Sequence, residues 1–426
     1  MRKYQPTLLL LNCFLLLISC SDIEDSVVDN VSKLSQENRN SFFVPKEEAQ
    51  RRMLGILKGN ALKTRSGEQM NINDITSSFT VGEPIYSDSL SDNPDSIYIH
   101  VFNFGENEGY CVMSGDSRGA SVLAVSSTGS LREGGKIENP GEATAIKNAL
   151  ESFYVDPNIY INGRTPFHPE EQLGIYPSSQ EIYYPNRQGM CKVHWIQSYP
   201  YNKYCPSIDS KPTVVGCVPI AVGQLMSVYK YPQSYKAYNF DWDNMIKGHS
   251  DDQVAVLLSE LGTSENLNVH YGVKASSSSL EVIPRTFVNF GYSSGGYIVD
   301  YTTKDIVSEL MNGYPVIVSG RATNDGGVDF GFDFSSANSS VGHAWLAHGL
   351  LEIRETKKYV NMKTADTIKT EIEDYYYPLY NFGWGGLDLE DGYYYSGNFD
   401  TGKGPYRRTE KYNFNMSNQL VIGIRK

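Results

Sequence analysis

The chain has 426 residues, a length that predicts two or three domains at roughly 100–200 residues each. A formal net charge of −12 excludes a nucleic-acid binder, because phosphate contacts need a basic face. Hydrophobic residues make up 40% and charged ones 20%, which is enough apolar material for packed cores and too much for a disordered chain.

At the N-terminus, Arg2 and Lys3 precede an apolar run from Leu8 to Ile18 that closes as Leu17-Ile18-Ser19-Cys20. A positive start, a short apolar stretch and a small residue before a Cys resemble a bacterial lipoprotein signal. They predict a signal peptide over 1–19, with the cut chain starting at Cys20 and the Cys20 thiol carrying diacylglycerol. Two or three acyl chains, at ~0.8 kcal/mol per buried CH₂, make a stable anchor. The expectation is an exported chain, lipid-anchored to the outer membrane, with an acidic Ser21-Asp22-Ile23-Glu24-Asp25 start that resembles surface-export signals. Beyond residue 20 no apolar run approaches the ~20 residues needed to span a bilayer. Cys111, Cys191, Cys205 and Cys217 then remain in a compartment that permits disulfides. Cys191 and Cys205 are close in sequence, and spacing alone leaves their pairing open.

Residues 20–42 are polar and without periodicity, a tether. Pro45 opens an amphipathic helix with Ala49, Met53, Ile56 and Leu57 on one stripe. Segments 96–104, 109–115 and 121–127 read as strands separated by Gly/Asp/Ser turns, and 140–155 reads as a helix started by Pro140. Together they predict a compact α+β domain over 43–160. Residues 161–190 hold several prolines and little periodicity, which predicts a linker or exposed loop before a second domain over 191–426.

In that second domain GCVPIAVGQLMSVYKYP (216–232) places Val218, Ala221, Val222, Leu225, Met226 and Tyr229 on one apolar face of a helix. Pro219 is tolerated in the first turn and Pro232 stops the helix. Cys217 therefore sits at a helix N-terminus, where unpaired amides and the macrodipole favour a thiolate. Gly216 lets a substrate backbone approach it. A buried structural Cys at a helix start is the competing reading. Further on, SVGHAWLAHGLL (340–351) is a strand-like run carrying His343 and His348, whose odd separation puts them on opposite faces. Asn381 precedes the turn in YNFGWGGLDLEDGYYY (380–395), and an Asn amide oxygen can accept the imidazole N–H and fix the ring. The chain order Cys, His, Asn is that of papain-like peptidases.

These motifs resemble the streptopain (C10) family of cysteine peptidases: GCVPIAVGQLM around Cys217, VGHAWLAHG around His343 and NFGWGGLDLEDGYY around Asn381, with WIQSYPYN (195–202), YNFDWDNM (238–245), YPVIVSG (314–320) and the closing LVIGIRK (420–426). The likeness covers nearly all of 191–426. VLAVSSTG and YCVMSGDSRGA resemble the family's propeptide. The resemblance implies an α+β fold, a papain-like two-lobed peptidase domain preceded by a small α+β propeptide domain. It implies Cys217 as nucleophile, His343 as general base and then acid, and Asn381 as orienter of the imidazole. Gln197 is implied as the oxyanion-hole amide and Trp384 as the shield of the His–Asn pair. Protein or peptide substrates, inhibition by the chain's own propeptide until a cut in 161–190, and no cofactor or metal are also implied. Two departures stand out. Phe382 replaces the first Trp of the family's Asn-Trp-Gly-Trp-Gly-Gly run, and the charged segment 354–376 is an insertion, readable as an extended hairpin outside the site. An inactive lipid-anchored binding protein on the same fold and a thiol acyltransferase are the alternatives. His194 and His348 read as structural or solvent-facing, Glu390 and Asp391 as turn carboxylates, and the serine run 276–279 as a loop.

Overall fold

The structure is a computed structural model that describes residues 44–57, 70–85, 95–117, 119–151, 173–183, 189–320, 328–329, 332–333, 342–361, 364, 366–384, 391–399 and 418–426. The signal, Cys20 and the tether lie outside the described residues, as does Glu390. Among the described residues no helix is long and apolar enough to cross a membrane.

The fold is built on one antiparallel sheet of 11 strands that runs through both predicted domains. The N-terminal unit contributes β1 (Ile75–Ile85), β2 (Asp95–Phe104), β3 (Tyr110–Ser114) and β4 (Val122–Ser126), with α1 (Lys46–Leu57) and α2 (Pro140–Glu151). Ala49, Met53, Ile56 and Leu57 are buried, as the stripe on α1 predicts. β1 has no counterpart among the predicted strands. Its exposed Thr76, Ser77 and Ser78 blur the alternation that identifies a strand.

The C-terminal part adds β6 (Ser294–Asp300), β7 (Val316–Gly320), β8 (His343–Asn361), β9 (Thr367–Asn381), β10 (Gly392–Tyr394) and β11 (Gln419–Arg425). The order is β1-β2-β3-β4-β10-β9-β8-β7-β11-β6. The two units are joined edge to edge where Gly392–Tyr394 of β10 pairs with Ser126–Ala124 of β4. A shared core backs the seam: Val112, Leu123, Ala143 and Ile146 pack with Trp345, Tyr380, Phe382 and Tyr394. Joining edges in this way removes two rows of unpaired backbone groups.

The expectation of a loop over 161–190 is corrected in part. Residues Leu173–Tyr183 form β5, antiparallel to the distal half of β8 from Glu352 to Asn361. The prolines that suggest a loop hide this strand. Pro177 sits where the register shifts between Thr356 and Lys357, a bulge that tolerates a residue without an N–H.

On the other side of the C-terminal sheet lies a helical lobe centred on α3 (Cys217–Tyr229), with α4 (Asp251–Leu261) and α5 (Ile283–Asn289), whereas α6 (Thr303–Met311) packs Ile306 and Leu310 into the shared core. Val222, Leu225 and Met226 of α3 are wholly buried and share a core with Leu257, Leu258 and Phe287 and with Ile317, Leu346 and Val421 of the sheet. The helix start carrying Cys217 is thereby fixed against β8, the strand that begins at His343.

Candidate active site

The segment leading into α3 is shaped before it is helical. Gly216 adopts φ 97° and ψ 149° as the N-cap, and a Cβ there would lie 3.2 Å from the Ser276 Cβ. Both the left-handed φ and the crowding call for glycine. Ser276 braces the segment: its hydroxyl donates to the Val214 carbonyl at 2.6 Å and accepts from the Gly272 amide at 3.1 Å. The Val215 amide donates to the Gln197 carbonyl at 2.8 Å, which places Gln197 beside the approach to Cys217. The serine run is thus a loop, as expected, and one that holds the nucleophile's backbone.

Cys217 is partly exposed. Desolvation pushes its thiol up, while the amides of Ala344, Cys217 and Val218 pull it down. The Ala344 amide belongs to the residue after His343, so the sulfur and the histidine backbone meet. His343 is buried, and its Nε2 lies 2.9 Å from the Phe382 carbonyl. A carbonyl only accepts, so this geometry assigns the proton to Nε2 and leaves Nδ1 as the basic nitrogen. Burial pushes the imidazole down to about 4, with the Phe382 hydrogen bond acting against it. Among the described residues no hydrogen bond joins the thiol to the ring. Burial thus acts against the charged form of both groups.

The imidazole is not oriented by the Asn381 side chain, which corrects the expectation. Asn381 Oδ1 accepts from Gln224 Nε2 at 2.7 Å and from the Gly383 amide at 3.0 Å, and its Nδ2 donates to the Val193 carbonyl at 2.8 Å. The amide is buried against α3, and the chain reverses at Gly383 with φ 67°. This reversal brings the carbonyl of the next residue, Phe382, to the ring instead. Gln224 escapes the sequence reading, though one signal was there: it is a polar amide in the apolar run of α3, seven places after Cys217, and it is fully buried.

Trp384 stands edge-on to His343 with centroids 6.1 Å apart, and Trp345 stacks on the imidazole at 6.0 Å. Trp384 is 43% exposed, so the shield on that side is open to solvent. Phe382 is buried among Trp345, Tyr380 and Tyr394.

Asp391 does more than close a turn. Its Oδ1 accepts the Phe382 amide at 3.1 Å and its Oδ2 faces His194 Nδ1 at 3.1 Å. The carboxylate pushes His194 up chiefly through that hydrogen bond. Asp391 therefore fixes the peptide on which the imidazole rests. His194 is half-exposed, as expected. His348 is structural: burial pushes it down to about 3, and its Nδ1 accepts the Cys191 amide at 3.2 Å. Cys191 and Cys205 are both free thiols and do not pair.

The N-terminal unit reaches this site through α2. Asn139 Oδ1 accepts from the Gly141 and Glu142 amides at 2.9 and 3.3 Å, capping the helix. Glu142 accepts from the Tyr110 hydroxyl, which lies 3.0 Å from that of Tyr394. Gly141 is pressed on Phe382 so closely that a Cβ would fall 2.1 Å from a ring carbon.

A cysteine at a helix start thus meets the first residues of the strand headed by His343, and a second α+β unit joins the same sheet. Residues 195–394 match the Peptidase C10 family and residues 41–151 the Spi protease inhibitor family. The C-terminal part of the chain is thus similar to C10 peptidases and the N-terminal part to Spi protease inhibitors. Streptopain of Streptococcus pyogenes is 24% identical over 275 residues, 52% of this chain and 64% of streptopain, so the match spans less than two thirds of that relative. The thiol protease/hemagglutinin PrtT of Porphyromonas gingivalis is 24% identical over 156 residues, 35% of this chain and 17% of that protein. Among solved structures, a prointerpain A fragment of Prevotella intermedia aligns with a TM-score of 0.49 and 18% identity, covering 81% of this chain and 99% of that one. Active interpain A aligns with a TM-score of 0.36 and 19% identity, covering 57% of this chain and 95% of that one.

Proposed function

We propose that the chain is a cysteine endopeptidase made as a zymogen, exported and anchored by a lipid on Cys20. The observation that supports the peptidase reading is that Cys217, at the start of α3, meets the backbone of Ala344, next to a histidine whose Nε2 lies 2.9 Å from the Phe382 carbonyl. That hydrogen bond leaves Nδ1 as the proton acceptor. Nδ1 takes the thiol proton, and the thiolate attacks a peptide carbonyl. The oxyanion is stabilised by the Cys217 amide and the Gln197 side-chain amide, each donor worth ~2.7–4 kcal/mol in the transition state. The imidazolium protonates the leaving amine. Water, deprotonated at Nδ1, then hydrolyses the acyl-enzyme.

In the uncut chain burial favours the neutral form of both groups. Removal of α2 from Phe382 would let water reach the site and favour the thiolate–imidazolium pair. The test is a set of variants in the full chain, cut by limited proteolysis and assayed on peptides. Cys217→Ser and His343→Ala should each abolish hydrolysis and labelling by a peptidyl epoxide, while His348→Ala keeps most of the turnover of its folded fraction. Wild-type hydrolysis by the cut Cys217→Ser protein would refute the nucleophile. Steady amine incorporation in place of hydrolysis would point to acyl transfer.

A further inference from the structure

The inserted segment 354–376 forms the distal halves of β8 and β9, an arm that leaves the active site and runs along the N-terminal unit. Along one edge it pairs with β5. At its base, Leu351, Ile353, Tyr375 and Tyr377 of the same two strands share a core with Met53 of α1 and with Phe102, Met113 and Val122. At the centre of this apolar contact stand two fully buried charges, Glu355 and Lys357. Glu355 accepts the Ser121 amide at 3.2 Å and the Ser121 hydroxyl at 3.1 Å. Lys357 donates to the Gly119 carbonyl at 2.7 Å and pairs with Glu373 at 3.0 Å. The Tyr377 hydroxyl donates to the Val122 carbonyl at 3.0 Å. The backbone of 119–122, in the turn entering β4, is thus read by arm side chains, away from Cys217 and His343. Buried charges are costly unless each finds partners, so they select a partner that supplies those groups.

We propose that this arm is a docking surface for the chain's own N-terminal unit, with Glu355 and Lys357 as its recognition pair, and that it holds the unit after the connecting segment is cut. Cutting then produces a noncovalent complex, and release is a separate step. This rests on the reading of the N-terminal unit as an inhibitory propeptide, yet its test does not depend on activity. The full-length protein is cut by limited proteolysis and run on gel filtration over a dilution series, with fragment masses read in each peak. The wild-type fragments should co-elute at micromolar concentration and separate only on dilution. Glu355→Ala leaves Lys357 paired with Glu373 but removes the acceptor for Ser121, and it should weaken the complex by roughly thirtyfold or more. Ser121→Ala, which alters only the N-terminal unit, should weaken it in the same direction and guards against a folding defect in the arm. Wild-type fragments that separate at once, or both variants co-eluting as the wild type does, would overturn the proposal. Fragments that stay together without any peptidase activity would instead leave the clamp standing and remove the enzymatic reading.

Discussion

Gly141→Ala is the sharpest test of how the N-terminal unit touches the site. An alanine Cβ would lie 2.1, 2.6 and 2.9 Å from three carbons of the Phe382 ring. Carbon atoms in ordinary contact sit ~3.5–4.0 Å apart, so α2 or the ring must move by roughly 1.5 Å. Neither side has slack. α2 is pinned by the Asn139 cap, by Glu142 against Tyr110 and by buried Ala143, Ala145 and Ile146. Phe382 is walled by Trp345, Tyr380 and Tyr394. Overpacking of this kind costs ~1–3 kcal/mol. The penalty falls only on the covered state, since residue 141 meets the Phe382 ring only while the N-terminal unit is seated. Alanine's better helix propensity acts on α2 in both states and cancels. The covering equilibrium should therefore shift by ~5–150-fold toward the open form. The assay is hydrolysis of a fluorogenic peptide by the uncut chain, with integrity checked on a gel before and after. Uncut Gly141→Ala should turn over ~5–150-fold faster than uncut wild type, and the two should converge once cut and separated. An uncut variant as silent as wild type, yet folded, would show that the Gly141–Phe382 contact does not govern access. A difference persisting after separation would locate the effect elsewhere.

Two further predictions follow from buried histidines and from the N-terminus. His343 and His348 are held near about 4 and about 3 by burial, against ~6.5 in an unfolded chain. The unfolded chain therefore takes up protons below pH ~6.5 that the folded chain refuses. Their contribution is fully present above that pH and is lost toward pH 4, at ~1.4 kcal/mol per pH unit for each histidine. The melting temperature of the uncut chain should fall between pH 6.5 and 5, and less steeply in His343→Ala; a flat profile would contradict the buried neutral rings. Cys20→Ala, expressed in a Gram-negative host, should lose both labelled fatty acid and membrane partitioning, and label persisting in this variant would refute the anchor.

The parts legible in the sequence are those with strong local signals. The apolar face after Cys217, the stripe of α1, the strands β2 to β4 and the proline at the head of α2 all emerge where predicted, because periodicity and breakers act within a few residues. Segment 354–376 forms the extended hairpin expected of it. What stayed hidden depends on distant chain. β5 is a strand only because β8 offers it an edge, and its Pro177 reads locally as a breaker. The edge pairing of β4 with β10 joins two units that composition and linker signals separate. In the site, the residue types were legible and one bond was not. Asn381 was expected to hold the imidazole, but no local pattern reveals that its amide is claimed by Gln224 and Val193.

The reassignment of that bond has a consequence for control. If the Asn381 side chain held the ring, the orientation of His343 would be set by a buried amide that the N-terminal unit does not touch. The ring is instead held by the carbonyl of Phe382. The same residue's side chain bears the press of Gly141, and its amide is fixed by Asp391. Asp391 in turn accepts the Ser126 hydroxyl on its own carbonyl at 2.9 Å, a second tie to the N-terminal unit. One peptide thus carries the imidazole on one side and the covering helix on the other. Movement of α2 is felt at the ring without any contact between α2 and His343 being needed.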